Sequence, residues 1–200
     1  MFDPQGPIIG IDPGVSRCGY GVVARHSGGR FEAIAYGVIT TSPSEPMPER
    51  LLLIATELDA LVAEYKPSGI AVERVLFQNN ARTAMSVGQA NGLALVAAAR
   101  HAVPVVEYSP NEVKLAVCGD GAADNAAVQT MVARLLGLIE IPRPPDAADA
   151  LALALTHGWS GRLRAQVGSS EVAESALDKA VQRALERDAA LCSPKGSVVP

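Results

Sequence analysis

Two short apolar runs, each closed by an acid, constrain this chain most. Ile8-Ile9-Gly10-Ile11 ends at Asp12, ahead of a Pro13-Gly14 turn signal, and Gly69-Ile70-Ala71-Val72 ends at Glu73. Continuous apolar stretches of this length read as buried strands of a sheet covered by helices. An acid closing such a strand needs a partner, because desolvating a lone charge is expensive. A further pair, Asp146 and Asp149, follows Pro145 at the head of an Ala/Leu-rich segment. Residues i and i+3 of a helix share a face, so these two carboxylates project together.

The rest of the pattern predicts an α/β domain. Residues 19–25 and 31–41 are β-rich and are split by Ser27-Gly28-Gly29; with the first strand they predict an antiparallel meander. A proline-containing loop over 42–48 leads to a helix over 49–65. Its expected apolar stripe is Leu52, Leu53, Ala55, Leu58, Leu61 and Val62, and Lys66-Pro67-Ser68-Gly69 stops it. Helices are expected over 81–100, around Lys114, over 123–138 and over 146–159, with strands over 70–73 and 103–108. Strands alternating with helices after a meander imply a sheet with helices on both faces. Residues 1–164 read as the main domain. The tail, 165–200, is rich in Ala, Ser and mixed charge; Leu177, Val181 and Leu185 mark a helical stripe in it. An appended helix and a solvated tail both fit that composition.

Bulk properties narrow the function classes. A 200-residue chain that is 48% hydrophobic can bury a sizeable core. Its longest apolar runs are too short to span a bilayer, and the first residues lack the basic and apolar regions of a signal peptide, so a cytoplasmic protein is expected. Cys18, Cys118 and Cys192 form no metal-binding or disulfide pattern, which suits a reducing compartment; Cys18 and Cys118 are expected to be small buried residues. The net charge of −4 is awkward for a nucleic-acid protein. With the four acids set aside, residues 1–164 are close to neutral, so local distribution decides.

If the fold gathers Asp12, Glu73, Asp146 and Asp149, their repulsion requires cations, and hard carboxylate oxygens suit divalent ions. Such a cage commonly holds two ions about 3.5–4 Å apart, one generating hydroxide and one stabilising a leaving oxygen. That is phosphoryl chemistry with no His or Cys nucleophile. Parts of the pattern have plainer explanations. An Asp pair at a helix start also suits capping and the macrodipole, and Asp before Pro-Gly is a turn former. Glu73 has no such local explanation.

The stretch Ile8-Ile9-Gly10-Ile11-Asp12-Pro13-Gly14-Val15-Ser16-Arg17-Cys18-Gly19-Tyr20-Gly21 resembles the opening of the RuvC family of Holliday-junction resolvases. Ala71-Val72-Glu73-Arg74-Val75, Asn80-Ala81-Arg82-Thr83-Ala84-Met85-Ser86-Val87-Gly88-Gln89-Ala90 and Asp146-Ala147-Ala148-Asp149-Ala150-Leu151-Ala152 follow in the family's order. The resemblance implies an RNase H-like fold over 1–164, with a mixed five-stranded sheet and helices on both faces. It implies a homodimer that cuts four-way junction DNA with paired symmetric nicks in recombination and repair, using Mg2+, two per site, with Mn2+ able to substitute. It also implies a branch-migration helicase partner. Asp12, Glu73, Asp146 and Asp149 match the family's catalytic acids, and Lys114 matches a basic residue near the scissile backbone; by itself Lys114 also reads as an exposed helix lysine. Arg17, Arg74, Phe77, Gln78, Arg82 and Asn125 are the expected DNA contacts. Phe77 could stack on an unpaired base or pack in the core. The 81–100 helix, with Ala84, Gly88, Gly92 and Ala99, is a candidate dimer contact or a core helix.

The chain departs from the family's pattern. Leu76 stands at a commonly aromatic position. Asn91 replaces a common arginine, Asn125 a usual lysine and Ala127 a usual glutamine. Each lost cation removes a phosphate contact and its counterion release. Weaker binding, sharper salt sensitivity, or compensation by Arg17, Arg74, Arg82 and Arg134 is expected. The competing reading is a junction-binding protein with weak or no cleavage. An actin-like phosphotransferase would need further glycine-rich phosphate loops, which this chain lacks.

Overall fold

The computed structural model describes residues 6–26, 28–75 and 81–167, without the side chains of 81–83 and 161–167. Residues up to Arg162 form one compact unit, which is the subject below. The chain runs β1 (Ile8–Asp12), β2 (Arg17–Arg25), β3 (Phe31–Thr40), α1 (Met47–Tyr65), β4 (Gly69–Glu73), α2 (Ala81–Arg100), β5 (Val105–Tyr108), α3 (Pro110–Cys118), α4 (Asn125–Leu136) and α5 (Pro145–Val167). One sheet takes the order β3-β2-β1-β4-β5. The first three strands form the expected antiparallel meander, and β1, β4 and β5 run parallel.

Strand alternation divides the core in two. Ile9, Ile11, Ile70 and Val72 point to one face and pack with Ile54, Leu58 and Val62 of α1 and Ala90, Ala94, Ala97 and Ala98 of α2. Ala71 and Tyr108 point to the other and join Val113 and Val117 of α3, Val128 and Val132 of α4, and the Leu151–Leu155 stretch of α5. The apolar runs of β1 and β4 are therefore covered on both sides, as their composition requires.

The buried row of α1 shares only Leu58 and Val62 with the expected stripe. It consists of Arg50, Ile54, Leu58 and Val62, while Leu52 and Leu53 are 68% and 40% exposed. Residues four apart stack along one face; Leu52, two positions on from Arg50, lies about 200° round the helix and cannot reach the sheet. Cys18 is buried as expected, but Cys118, in the last turn of α3, is only half-buried; both thiols are free.

The first turns of α5 touch the sheet through glycines. A methyl group on Gly10 would run into the backbone carbonyl of Ala150 and come within 2.7 Å of the Ala154 nitrogen. One on Gly19 would strike the carbonyl of Asp146, and one on Gly21 would lie 2.7 Å from the Leu151 nitrogen. Ala147, Ala148, Ala150, Ala152 and Ala154 are fully buried, so small residues on both sides let the helix lie close against β1 and β2. That approach delivers the head of α5 to the C-terminal end of β1.

Candidate active site

Ile11 pairs with Val72 across the parallel β1–β4 ladder, so Asp12 and Glu73, the next residues, end their strands side by side. The Asp12 carboxyl donates a hydrogen bond to Glu73. Asp12 also faces Gly19 across the β1–β2 ladder, and Gly19 is the residue on which the Asp146 backbone rests. Asp149, one turn along α5, completes the group. On the far side, Glu73 pairs with Tyr108, the last residue of β5. Ser109 then starts α3 with a reciprocal capping box to Glu112 and brings Lys114 to the edge of the acids.

Electrostatics confirm that the carboxyls sense one another. Burial pushes Asp12 up to about 8, helped by the charges of Glu73, Asp149 and Asp146. Glu73 is raised by burial and by Asp149, partly offset by its bond from Asp12 and by Lys114. Burial and the charge of Asp146 push Asp149 up to about 6, again opposed by Lys114. Lys114 thus lies close enough to favour the charged forms of two acids.

Among the described residues, no group of three or more His, Cys, Asp or Glu side chains is set to hold a metal ion as it stands. Two contacts engage the acids instead. Asp12 and Glu73 share a proton, and Asp146 is clamped by Arg17, with Nη2 donating to Oδ2 at 2.5 Å and Nε to Oδ1 at 3.3 Å. The donor chemistry still fits a hard divalent cation: the group is all carboxylate, Asp12, Glu73 and Asp149 are pushed above their usual range by burial and by neighbouring acids, and Lys114 supplies one opposing charge.

The expected DNA contacts separate into groups. Arg17 lies beside the acids and is engaged by Asp146. Arg74, directly after Glu73, is exposed and donates to the Glu107 carbonyl at 3.3 Å. Asn125 is exposed at the start of α4, which Asp124 caps. Arg82 lies in the first turn of α2, but its side chain, with Leu76, Phe77 and Gln78, lies outside the described residues. Asn91 is not a surface position: it is buried, and its Nδ2 donates to Glu107 Oε1 at 3.0 Å. Arg134 is exposed on α4 but lines a cleft with His26, Gly28 and Arg30 at the β2–β3 turn, the sheet end remote from the acids. It cannot replace contacts at the site.

Arg50 was not foreseen. It is buried, and its Nε donates to Thr41 Oγ1 at 2.8 Å and its Nη2 to Ser16 Oγ at 2.8 Å. Thr41 Oγ1 in turn donates to the Val15 carbonyl at 2.6 Å. These bonds tie α1 and the end of β3 to the turn between Asp12 and Arg17. The signal was available in the row Arg50-Ile54-Leu58-Val62, whose spacing of four puts the arginine on the core face.

The mixed sheet, with acids closing its two central strands and opening the helix laid across them, places the molecule in the RNase H-like class. Within that class the chain belongs to the RuvC family: the family described as "Crossover junction endodeoxyribonuclease RuvC" matches residues 8–157. A relative of that name from Salinispora arenicola is 52% identical over 163 residues, 82% of this chain and 93% of the relative. The structure titled "Thermus thermophilus RuvC structure" superposes with a TM-score of 0.73 at 40% identity, covering 78% of this chain and 96% of that one. "T. thermophilus RuvC in complex with Holliday junction substrate" gives a TM-score of 0.72 at 38% identity over the same shares.

Proposed function

We propose that this protein is a crossover-junction endonuclease that resolves four-way DNA by paired nicks, with Asp12, Glu73, Asp146 and Asp149 as its metal-binding acids. The carrying observation is the convergence of these residues from β1, β4 and α5, where burial and then one another's charge raise Asp12 and Asp149. Structural acids have no reason to be gathered where they repel one another.

The four carboxylates would hold Mg2+, two ions per site, with Mn2+ able to substitute. When bound, the ions supply a water acidic enough to yield hydroxide and a positive partner for the departing oxygen. The chain's own groups prepare the site. Asp12 and Glu73 give up their shared proton to present oxygen ligands. Lys114 offsets charge beside Glu73 and Asp149 and is proposed to meet a phosphate oxygen. Arg17, Arg74 and Asn125, with Phe77, Gln78 and Arg82, are proposed to hold the DNA around the cut.

A junction needs two cuts, and a homodimer presents two cages to a roughly two-fold substrate. The outer face of α2 suits that contact: Met85, Leu95 and Val96 are 66%, 40% and 47% exposed, and among the described residues nothing stands within 4 Å of where a side chain would start on Gly88 or Gly92. Ala84, by contrast, is buried within the unit. A branch-migration helicase is the proposed partner, and the free thiols of Cys18 and Cys118 suit work in the cytoplasm. The non-cutting binder is not favoured, because its acids would only repel DNA.

A labelled synthetic four-way junction and a matched linear duplex, each with Mg2+ or Mn2+, test the proposal. Symmetric nicks in the junction alone are expected. Asp12→Asn should lower cleavage by about 10²–10³-fold or more while junction binding stays within about threefold. A parent protein that binds the junction yet never cuts it with either metal would make the binder reading correct.

A further inference from the structure

We infer that Arg17 is a positioning residue that competes with the divalent cation for Asp146: its guanidinium holds this carboxylate, and the cation must take it over. This rests on the metal-binding role proposed for Asp146. The clamp is two-pointed, Nη2 to Oδ2 at 2.5 Å and Nε to Oδ1 at 3.3 Å, so both carboxylate oxygens are engaged. Asp146 is 19% exposed and Arg17 51%, so the pair sits at the mouth of the acid group, where an incoming cation or phosphate would meet it.

The clamp is not a chance meeting of two flexible surface chains. Arg17 opens β2 opposite Thr40. The turn just before it is fixed by the Thr41 Oγ1 bond to the Val15 carbonyl at 2.6 Å, the Thr41 N–H bond to the Ser16 carbonyl at 3.2 Å, and the Arg50 bond to Ser16 Oγ at 2.8 Å. Asp146 is fixed in turn by the seat of its backbone on Gly19. Both partners therefore leave anchored backbone, and only the tip of Arg17 is free to swing. Both Asp146 oxygens are already engaged by the guanidinium, so a cation gains them only as the Arg17 tip swings away. Once displaced, the guanidinium is free to pair with a phosphate oxygen a few ångströms outside the cage, so the side chain that hinders metal entry without DNA becomes a DNA contact with it.

Calorimetric titration of Mn2+ into the full-length protein without DNA reads this directly. Arg17→Gln should lower the Mn2+ Kd roughly fivefold, the span of an exposed ion pair, and Arg17→Lys, which keeps the charge but loses the fork, should fall between. In an Asp146→Asn background, where there is no carboxylate left to contest, the gain from Arg17→Gln should shrink to less than about twofold. An unchanged or weaker Mn2+ affinity in Arg17→Gln, with Asp146→Asn still weakening binding in the parent, overturns the inference and leaves the metal role of Asp146 standing. Mn2+ binding indifferent to both Asp146→Asn and Asp12→Asn overturns that metal role and the inference together.

Discussion

Asp12 governs the charge state at the strand ends. Its carboxyl is pushed from an ordinary 3.8 up to about 8, first by burial and then by Glu73, Asp149 and Asp146. Between these values the folded chain keeps a proton that the unfolded chain has released. Unfolding therefore sheds a proton, and stability falls as pH rises from about 4 to about 8; Asp149, raised to about 6, adds to the lower part of that window. With a chelator present, the melting temperature should decline from pH 5 to pH 8, and Asp12→Asn should flatten the decline. Millimolar Mg2+ should raise the melting temperature more at pH 8 than at pH 5, because a cation competes with protons for the same oxygens. A melting temperature insensitive to pH across this window would contradict the burial of Asp12. Cys18, beneath the same turn, is pushed up to about 12 by burial and stays an unreactive thiol.

At the scale of elements, the seat of α5 on the β1–β2 ladder aligns the site. Gly10→Ala forces a methyl into the Ala150 carbonyl, and backbone cannot yield as a side chain can. It should cost about 1–3 kcal/mol of stability in denaturant unfolding, and because it lifts the helix that carries Asp146 and Asp149, cleavage should fall about 10²-fold. Ser16→Ala, which only removes a hydroxyl partner of Arg50, should leave cleavage within a few-fold of the parent. Much of this scale was legible in the sequence. Acids at the ends of apolar strands have no role in packing, so Asp12 and Glu73 stood out, and the order of strands and helices followed from period and turn signals. The phase of α1 was not legible, because Leu52 and Leu53 look like core residues and an arginine is ordinarily assigned to solvent; the hydroxyls of Ser16 and Thr41, brought from other elements, make Arg50 tolerable inside. Nor was the buried seat of Asn91, whose partner Glu107 lies on a distant strand. The closeness of α5 to the sheet was equally hidden, since glycine in a strand reads first as weakness.

For the whole molecule, the proposed pairing through α2 separates two properties. Leu95→Glu places a charge on the exposed face of α2 without touching the acids. It should shift sedimentation from dimer to monomer while Mn2+ binding persists, and junctions should then show uncoordinated single nicks. A dimer that survives both Leu95→Glu and Val96→Glu would move the contact elsewhere. The order β3-β2-β1-β4-β5 has one more effect. The proposed acid group draws its first member from residue 12 at the middle of the sheet and its last from residue 149, beyond α1, α2, α3 and α4. A half-synthesised chain leaving the ribosome owns the first carboxylates and lacks the others, so the proposed blade is assembled only when synthesis has passed residue 149.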